Sequence, residues 1–166
     1  MARRRPKYLL ERTREGYVLH LDQEERDLVV RLIGEMRDLV LSDDPQHQPL
    51  VRRLFPPAYH LAEHAEQEAE FQKYMHEELV ASRLESMGAV EAVLTSGAPM
   101  DDGEVMAFVQ SLNALRLVLG TILDVSEEHD PNAVRDDDPM VGEHHLYSFL
   151  SWLLEHAMIG LSRQGT

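Results

Sequence analysis

The chain has 166 residues, a formal net charge of −14 and no cysteine. Its length and its 43% content of hydrophobic residues suffice for one domain, residues 1–166, with a core of its own. The absence of cysteine excludes disulfides, thiolate metal sites and thiol-based catalysis within the chain.

The positive charge is concentrated at the N-terminus, where residues 1–14 hold six basic residues against one acidic residue. Only this basic arm, with Arg3, Arg4, Arg5 and Lys7, is expected to attract nucleic acid or an acidic partner, because the acidic remainder repels phosphate. A short charged terminus without any binding role is the alternative. The arm lacks the apolar run of a signal sequence, and no continuous apolar run approaches a membrane span, so we expect a cytoplasmic protein.

Two short strands are predicted next, over Lys7–Arg12 and Gly16–Leu21, because apolar and polar residues alternate around an Arg-Glu-Gly turn. Together they form a β-hairpin, which needs helices behind it because an isolated pair of strands is only marginally stable. Residues 1–21 are therefore interpreted as the basic arm and the hairpin, and residues 22–166 as a helical bundle.

The bundle begins with a capping box of Asp22 and Glu25, which predicts a helix ending near Leu41. A short helical segment is expected from Pro49 to about Phe55. A long helix follows, from a start between residues 60 and 65 to about residue 94. Its apolar residues recur at helical spacing and are expected to form one core-facing stripe: Phe71, Met75, Leu79, Leu84, Met87, Val90 and Leu94.

A second capping box, of Asp101 and Glu104, starts a helix that extends to Val125 and is apolar on most sides. Such a helix belongs at the centre of a bundle. After an acidic loop over Glu127–Asp138, a last helix is expected over Gly142–Leu161. The fold class is thus predicted to be mainly α, a bundle of about four main helices with an N-terminal β-hairpin.

Three potential metal ligands, His60, His64 and Glu68, follow one another at intervals of four residues. This spacing places them near one face of a helix, where they could bind a metal ion. No second His/Glu pair completes such a site elsewhere in the sequence, and a solvated helix face is the alternative. The HExxH, P-loop, GxGxxG and nucleophile-elbow motifs are absent, so the sequence gives no catalytic residue and no cofactor.

Arg116 falls within the apolar stripe of the central helix, about 40° from Leu112. Either it pairs with an acid of the long helix, of which Glu70, Glu77 and Glu78 are the candidates, or its guanidinium reaches solvent at the edge of the bundle. The sequence leaves both alternatives open.

The last helix carries a second apolar line besides its core stripe. This helix, predicted over Gly142–Leu161, is the fifth predicted helical segment and is called α5. We define the α5 seam as five residues that follow a heptad-like spacing: His145, Phe149, Trp152, His156 and Ile159. A helix with two apolar faces is either fully internal or covered by a partner. Because terminal helices are usually peripheral, we expect the seam to form the interface of a homodimer.

Four stretches of the chain together resemble an uncharacterised actinobacterial family. They are LFPPAY at Leu54–Tyr59, EF at Glu70-Phe71, LNALRLVLGT at Leu112–Thr121 and FLSWLL at Phe149–Leu154. The genes of this family commonly lie beside the gene of the Clp adaptor ClpS, and it includes the oxidative-stress regulator AosR. The resemblance implies a cytoplasmic transcription co-regulator in stress response that acts through a protein partner such as a sigma factor.

The chain departs from that pattern in two ways. It has no cysteine, so redox sensing by a cysteine pair cannot operate, and Ala114 stands where the resemblance leads us to expect aspartate. Only Asn113 and Arg116 carry over, with a structural role. We therefore predict a non-enzymatic regulatory or protein-interaction protein, with a metal-binding protein or metal-dependent enzyme using the His60 group as the alternative.

The charge distribution makes a prediction about DNA. Deletion of residues 1–7 should abolish any weak retardation of DNA that the full chain shows in a low-salt gel, because the arm is the basic part of an acidic protein. Retardation that survives the deletion would place the binding surface elsewhere and contradict the charge argument.

Overall fold

The computed structural model describes residues 8–55, 65–123 and 137–164, and it begins with an antiparallel hairpin. Strand β1 (Leu10–Thr13) pairs with β2 (Gly16–Leu19), with Leu10 opposite Leu19. Five α-helices follow among the described residues: α1 (Gln23–Val40), α2 (Gln48–Leu54), α3 (Ala65–Ser96), α4 (Asp102–Ile122) and α5 (Val141–Gln164). A 3₁₀ turn over Pro45–His47 immediately precedes α2. The predicted mainly α fold with an N-terminal hairpin is confirmed.

Both predicted capping boxes are present. The Asp22 carboxylate accepts a hydrogen bond from the Glu25 backbone N–H at 2.8 Å, and Asp101 accepts one from Glu104 at the same distance. Each glutamate accepts a bond from the N–H of its aspartate in return, so each capping box satisfies two backbone N–H groups at the start of its helix. Helix α3 ends just before Gly97, whose φ of +70° reverses the chain toward α4.

The prediction that α4 is the central helix is confirmed. It packs against α1, α2, α3, α5 and β2, and its Phe108 and Leu112 are completely buried. By length and composition α4 is also apolar enough to cross a membrane, so the expectation that no segment approaches a span was wrong on that criterion. The core helix of a bundle meets the same criterion, since such a helix is apolar on most sides.

The hairpin is fixed to the bundle by backbone contacts on two sides. Tyr17 N–H donates to the Met100 carbonyl at 2.7 Å, and Met100 N–H donates to the Tyr17 carbonyl at 2.8 Å. A Cβ on Gly16 would lie 2.5 Å from the same Met100 oxygen, so this close approach requires glycine. On the other side Gly160 of α5 lies against Leu10, whose carbonyl oxygen would be 2.9 Å from a Cβ at that position.

A side chain of α1 completes this attachment. The Arg26 guanidinium donates to the carbonyls of Leu19 and of Leu21, the latter at 3.1 Å, and its third contact is a long one of 3.5 Å to the carbonyl of Leu94. These three acceptors come from the end of the hairpin and the end of α3. A second arginine, Arg37, forms an ion pair with Glu91 and so joins α1 to α3 further along.

The predicted core stripe of α3 is buried only in its second half. Met87, Val90 and Leu94 are at most 2% exposed, whereas Phe71 is 60% exposed and Leu79 is 51% exposed. A connection of only five residues, 97–101, makes α3 and α4 antiparallel neighbours. The 21 residues of α4 can therefore cover only about the last two thirds of the 32-residue α3. The first part of α3 extends beyond the core, and the expectation of one continuous buried stripe was wrong.

Two helical glycines predict opposite effects of the same substitution. Gly160→Ala should lower the free energy of unfolding by about 1–3 kcal/mol, because the new methyl group meets the backbone of Leu10. Gly88→Ala should raise it by up to about 1 kcal/mol, because nothing lies within 4 Å of a Cβ there and alanine favours the helix. Urea unfolding of both variants measures the difference, and equal shifts would contradict the close packing of α5 on the hairpin.

Candidate interaction surfaces

The core face and the seam of α5 lie on different sides of the helix. Leu150, Leu153 and Ala157 are completely buried and form the centre of the core face. By the 100° rotation per residue, the α5 seam lies roughly a third of a turn away from that centre. The core face packs against α4 and β1, so the seam runs along one flank of the helix.

The seam has a partly buried edge and an edge in solvent. Phe149 and His156 are half-buried, and Phe149 packs against the core. His145 is exposed, Trp152 is 46% exposed and Ile159 is 36% exposed. The rings of Trp152 and His156 contact each other with their centroids 4.5 Å apart and their planes tilted by 41°. This contact orients the tryptophan on the surface without covering it.

A cleft of about 480 Å³ lies between α2, α3 and α4. Its lining combines an apolar wall with a few polar side chains: Leu54, Phe55, Leu79, Ala114, Leu117, Ser82, Arg83, Ser86, Gln110 and Asn113. Asn113, to which the family resemblance gave a structural role, is half-buried here. Ala114, where aspartate was expected, is 3% exposed and lines the same cleft, so this site holds a methyl group in place of a carboxylate.

Arg116 is half-buried, and the structure gives it no ion pair within the described ranges 8–55, 65–123 and 137–164. The three acids that were considered as its partners, Glu70, Glu77 and Glu78, are all exposed. This arrangement favours the alternative in which the guanidinium reaches solvent at the edge of the bundle.

The remaining predicted sites lie largely outside the described residues. The arm residues Arg3, Arg4, Arg5 and Lys7 are among them, and so are His60 and His64. Glu68 belongs to α3, but its side chain is not described. Within the described part of the chain, no group of three histidine, aspartate or glutamate side chains is placed to hold a metal ion.

Two features were not predicted from the sequence: the contacts of Arg26 with backbone carbonyls and the exposure of the first part of α3. No local signal separates Arg26 from Arg31, which lies five residues later on the same helix and is exposed. The difference arises because Arg26 meets the carbonyls of segments that are distant in sequence, up to Leu94. The exposure of Phe71 depends in the same way on the length of a neighbouring helix.

Comparison with known proteins gives a family without an assigned activity. A family model described as a domain of unknown function, DUF2017, matches residues 3–159, and the chain belongs to this family. Neither the curated proteins nor the solved structures give a match.

Two of the half-buried arginines, Arg26 and Arg116, are expected to differ in how much they stabilise the fold. Arg26→Ala should lower the free energy of unfolding by about 2–3 kcal/mol, because it removes charged hydrogen bonds to backbone carbonyls. Arg116→Ala should cost about 1 kcal/mol or less, since no described acid pairs with it. Urea unfolding midpoints of both variants measure these losses of stability, and Arg31→Ala serves as the exposed control. A loss at Arg116 equal to that at Arg26 would indicate a buried ion pair.

Proposed function

We propose that this chain is a non-enzymatic interaction protein that forms a homodimer through the α5 seam and acts in the cytoplasm on a second, regulatory protein. The observation that carries the proposal is the position of Trp152. The tryptophan is 46% exposed at the middle of an apolar line on the last helix. Soluble monomers rarely leave such a line uncovered, and large aromatic residues are enriched at the centres of interfaces.

The spacing of the seam favours a second copy of the chain as the partner. Its five residues follow the i, i+4, i+7 pattern with which two helices pack side by side. A two-fold axis brings the same seam of both copies together. No member of the seam is an acid, an arginine or a lysine, and residues 145–159 contain a single acid, Glu155, so little repulsion between fixed charges opposes the approach of two copies.

The regulatory part of the proposal is supported by the family resemblance to AosR and its relatives. It implies a transcription co-regulator in stress response that works through a protein partner such as a sigma factor. Because the chain has no cysteine, any signal that it receives must act without thiol oxidation. Metal analysis of protein purified without a histidine tag tests the alternative with His60, His64 and Glu68, and stoichiometric zinc or iron would favour it.

The dimer is tested by truncating the tryptophan. Light scattering of the wild type should give twice the mass of the 19.0 kDa chain. Trp152→Ala should weaken the dimer about 30-fold or more, because loss of a central aromatic anchor costs about 2 kcal/mol or more.

Met158→Ala is the matched control, since Met158 belongs to the same helix and is 50% exposed but lies outside the seam. This variant should remain as dimeric as the wild type. A wild-type chain that stays monomeric at high concentration, or equal weakening by both substitutions, would contradict the proposed interface.

A further inference from the structure

The first part of α3 exposes a second apolar surface. We define the α3 patch as four residues that fall within nine positions of this helix: Phe71, Tyr74, Met75 and Leu79. Their exposed fractions are 60%, 59%, 40% and 51%, respectively. Scattered single hydrophobic residues are common on protein surfaces, but four large side chains at helical spacing make a continuous patch.

Packing among the described residues does not account for this patch. Phe71, Tyr74 and Met75 belong to the part of α3 that extends past the end of α4, and Leu79, at the edge of the cleft, is still 51% exposed, so these side chains add little to the core of the bundle. Serine or glutamine at these positions would favour solubility at no cost in core packing. An apolar surface that does not stabilise the fold points to binding.

The patch leads into the cleft between α2, α3 and α4. Leu79 belongs to both, and Leu117 of α4, 37% exposed, lies on the opposite wall. Phe55, which also lines the cleft, contacts the ring of His76 edge-on, with a centroid distance of 5.4 Å. The result is an apolar strip on a helix with an anchor pocket at one end, which is the shape that receives an amphipathic helix.

The charge around the patch selects the partner. Residues 66–79 contain five glutamates and one lysine. Glu70, Glu77 and Glu78 are exposed beside the patch. A second copy of the chain would bring the same acids against these and be repelled, in contrast to the uncharged α5 seam. A partner that presents lysine or arginine beside its apolar residues would instead be attracted.

We propose that the α3 patch and the adjoining cleft form a docking site for a basic amphipathic helix of a partner protein. This inference rests on the proposed role as an interaction protein and names the class of its partner. The apolar side chains of the partner helix cover Phe71, Tyr74 and Met75, and one of them enters the cleft beside Leu79. Its basic residues lie beside the glutamates and away from Arg83, because Arg83 lines the cleft.

Two model peptides test the site with the full-length chain. One is a fluorescein-labelled helical peptide of leucine and lysine, and the other has glutamate at every lysine position. Fluorescence anisotropy should show binding of the lysine peptide and at least about tenfold weaker binding of the glutamate peptide. Equal binding of both peptides would overturn the proposal.

Variants locate the binding on the protein. Phe71→Ala and Tyr74→Ala should each weaken binding of the lysine peptide about tenfold. Met158→Ala should not change it, because this residue is equally exposed but lies on α5. Glu78→Gln should weaken binding and reduce its salt dependence, whereas Glu35→Gln on α1, also an exposed acid, should not. Unchanged affinity in the α3 variants would overturn the proposal.

Two further outcomes would assign the patch to a different occupant and overturn the proposal. Loss of the dimer in Phe71→Ala, seen by light scattering, would make the patch a contact between copies. Tighter peptide binding after deletion of residues 1–7 would make the basic arm of the chain its occupant. The α5 interface is tested separately by Trp152→Ala, so failure of one surface leaves the other interpretable.

Discussion

The placement of the hairpin depends on hydrogen bonds with backbone carbonyl groups. Arg26 of α1 donates to a carbonyl at the end of β2 and makes a longer contact with one at the end of α3, segments that are about 75 residues apart in sequence. The Met100 bridge joins the start of α4 to the hairpin, and the Gly160 contact places α5 against β1. All these contacts gather at one end of the bundle.

The other end of the bundle is organised differently. There α3 extends past α4, and the cleft opens between α2, α3 and α4. Few described groups cross this region, among them the contact of Phe55 with His76 and the hydrogen bond from Arg53 to the Thr121 hydroxyl at 3.3 Å. The cross-linked end holds the fold together, and the open end leaves exposed the surface on which the proposed docking depends.

The two exposed apolar surfaces differ in the charges that surround them. Residues 145–159, which contain the α5 seam, include one glutamate, whereas residues 66–79, which contain the α3 patch, include five glutamates and one lysine. Hydrophobic burial favours association at both surfaces, whereas the surrounding charges determine which kind of partner each surface attracts. The two proposals follow this difference, since they assign a second copy of the chain to the seam and a basic partner to the patch.

The sequence by itself determined the features that depend on neighbouring residues. Both capping boxes and the central place of α4 follow from local hydrogen bonds and helical periodicity. The tertiary structure alone decided which apolar stripes are covered. Phe71 and Leu94 belong to one periodic pattern, yet only Leu94 is buried, because α4 ends before it reaches the start of α3. Likewise only packing separates Arg26 from Arg31, since the carbonyls that Arg26 binds are brought to it by the fold.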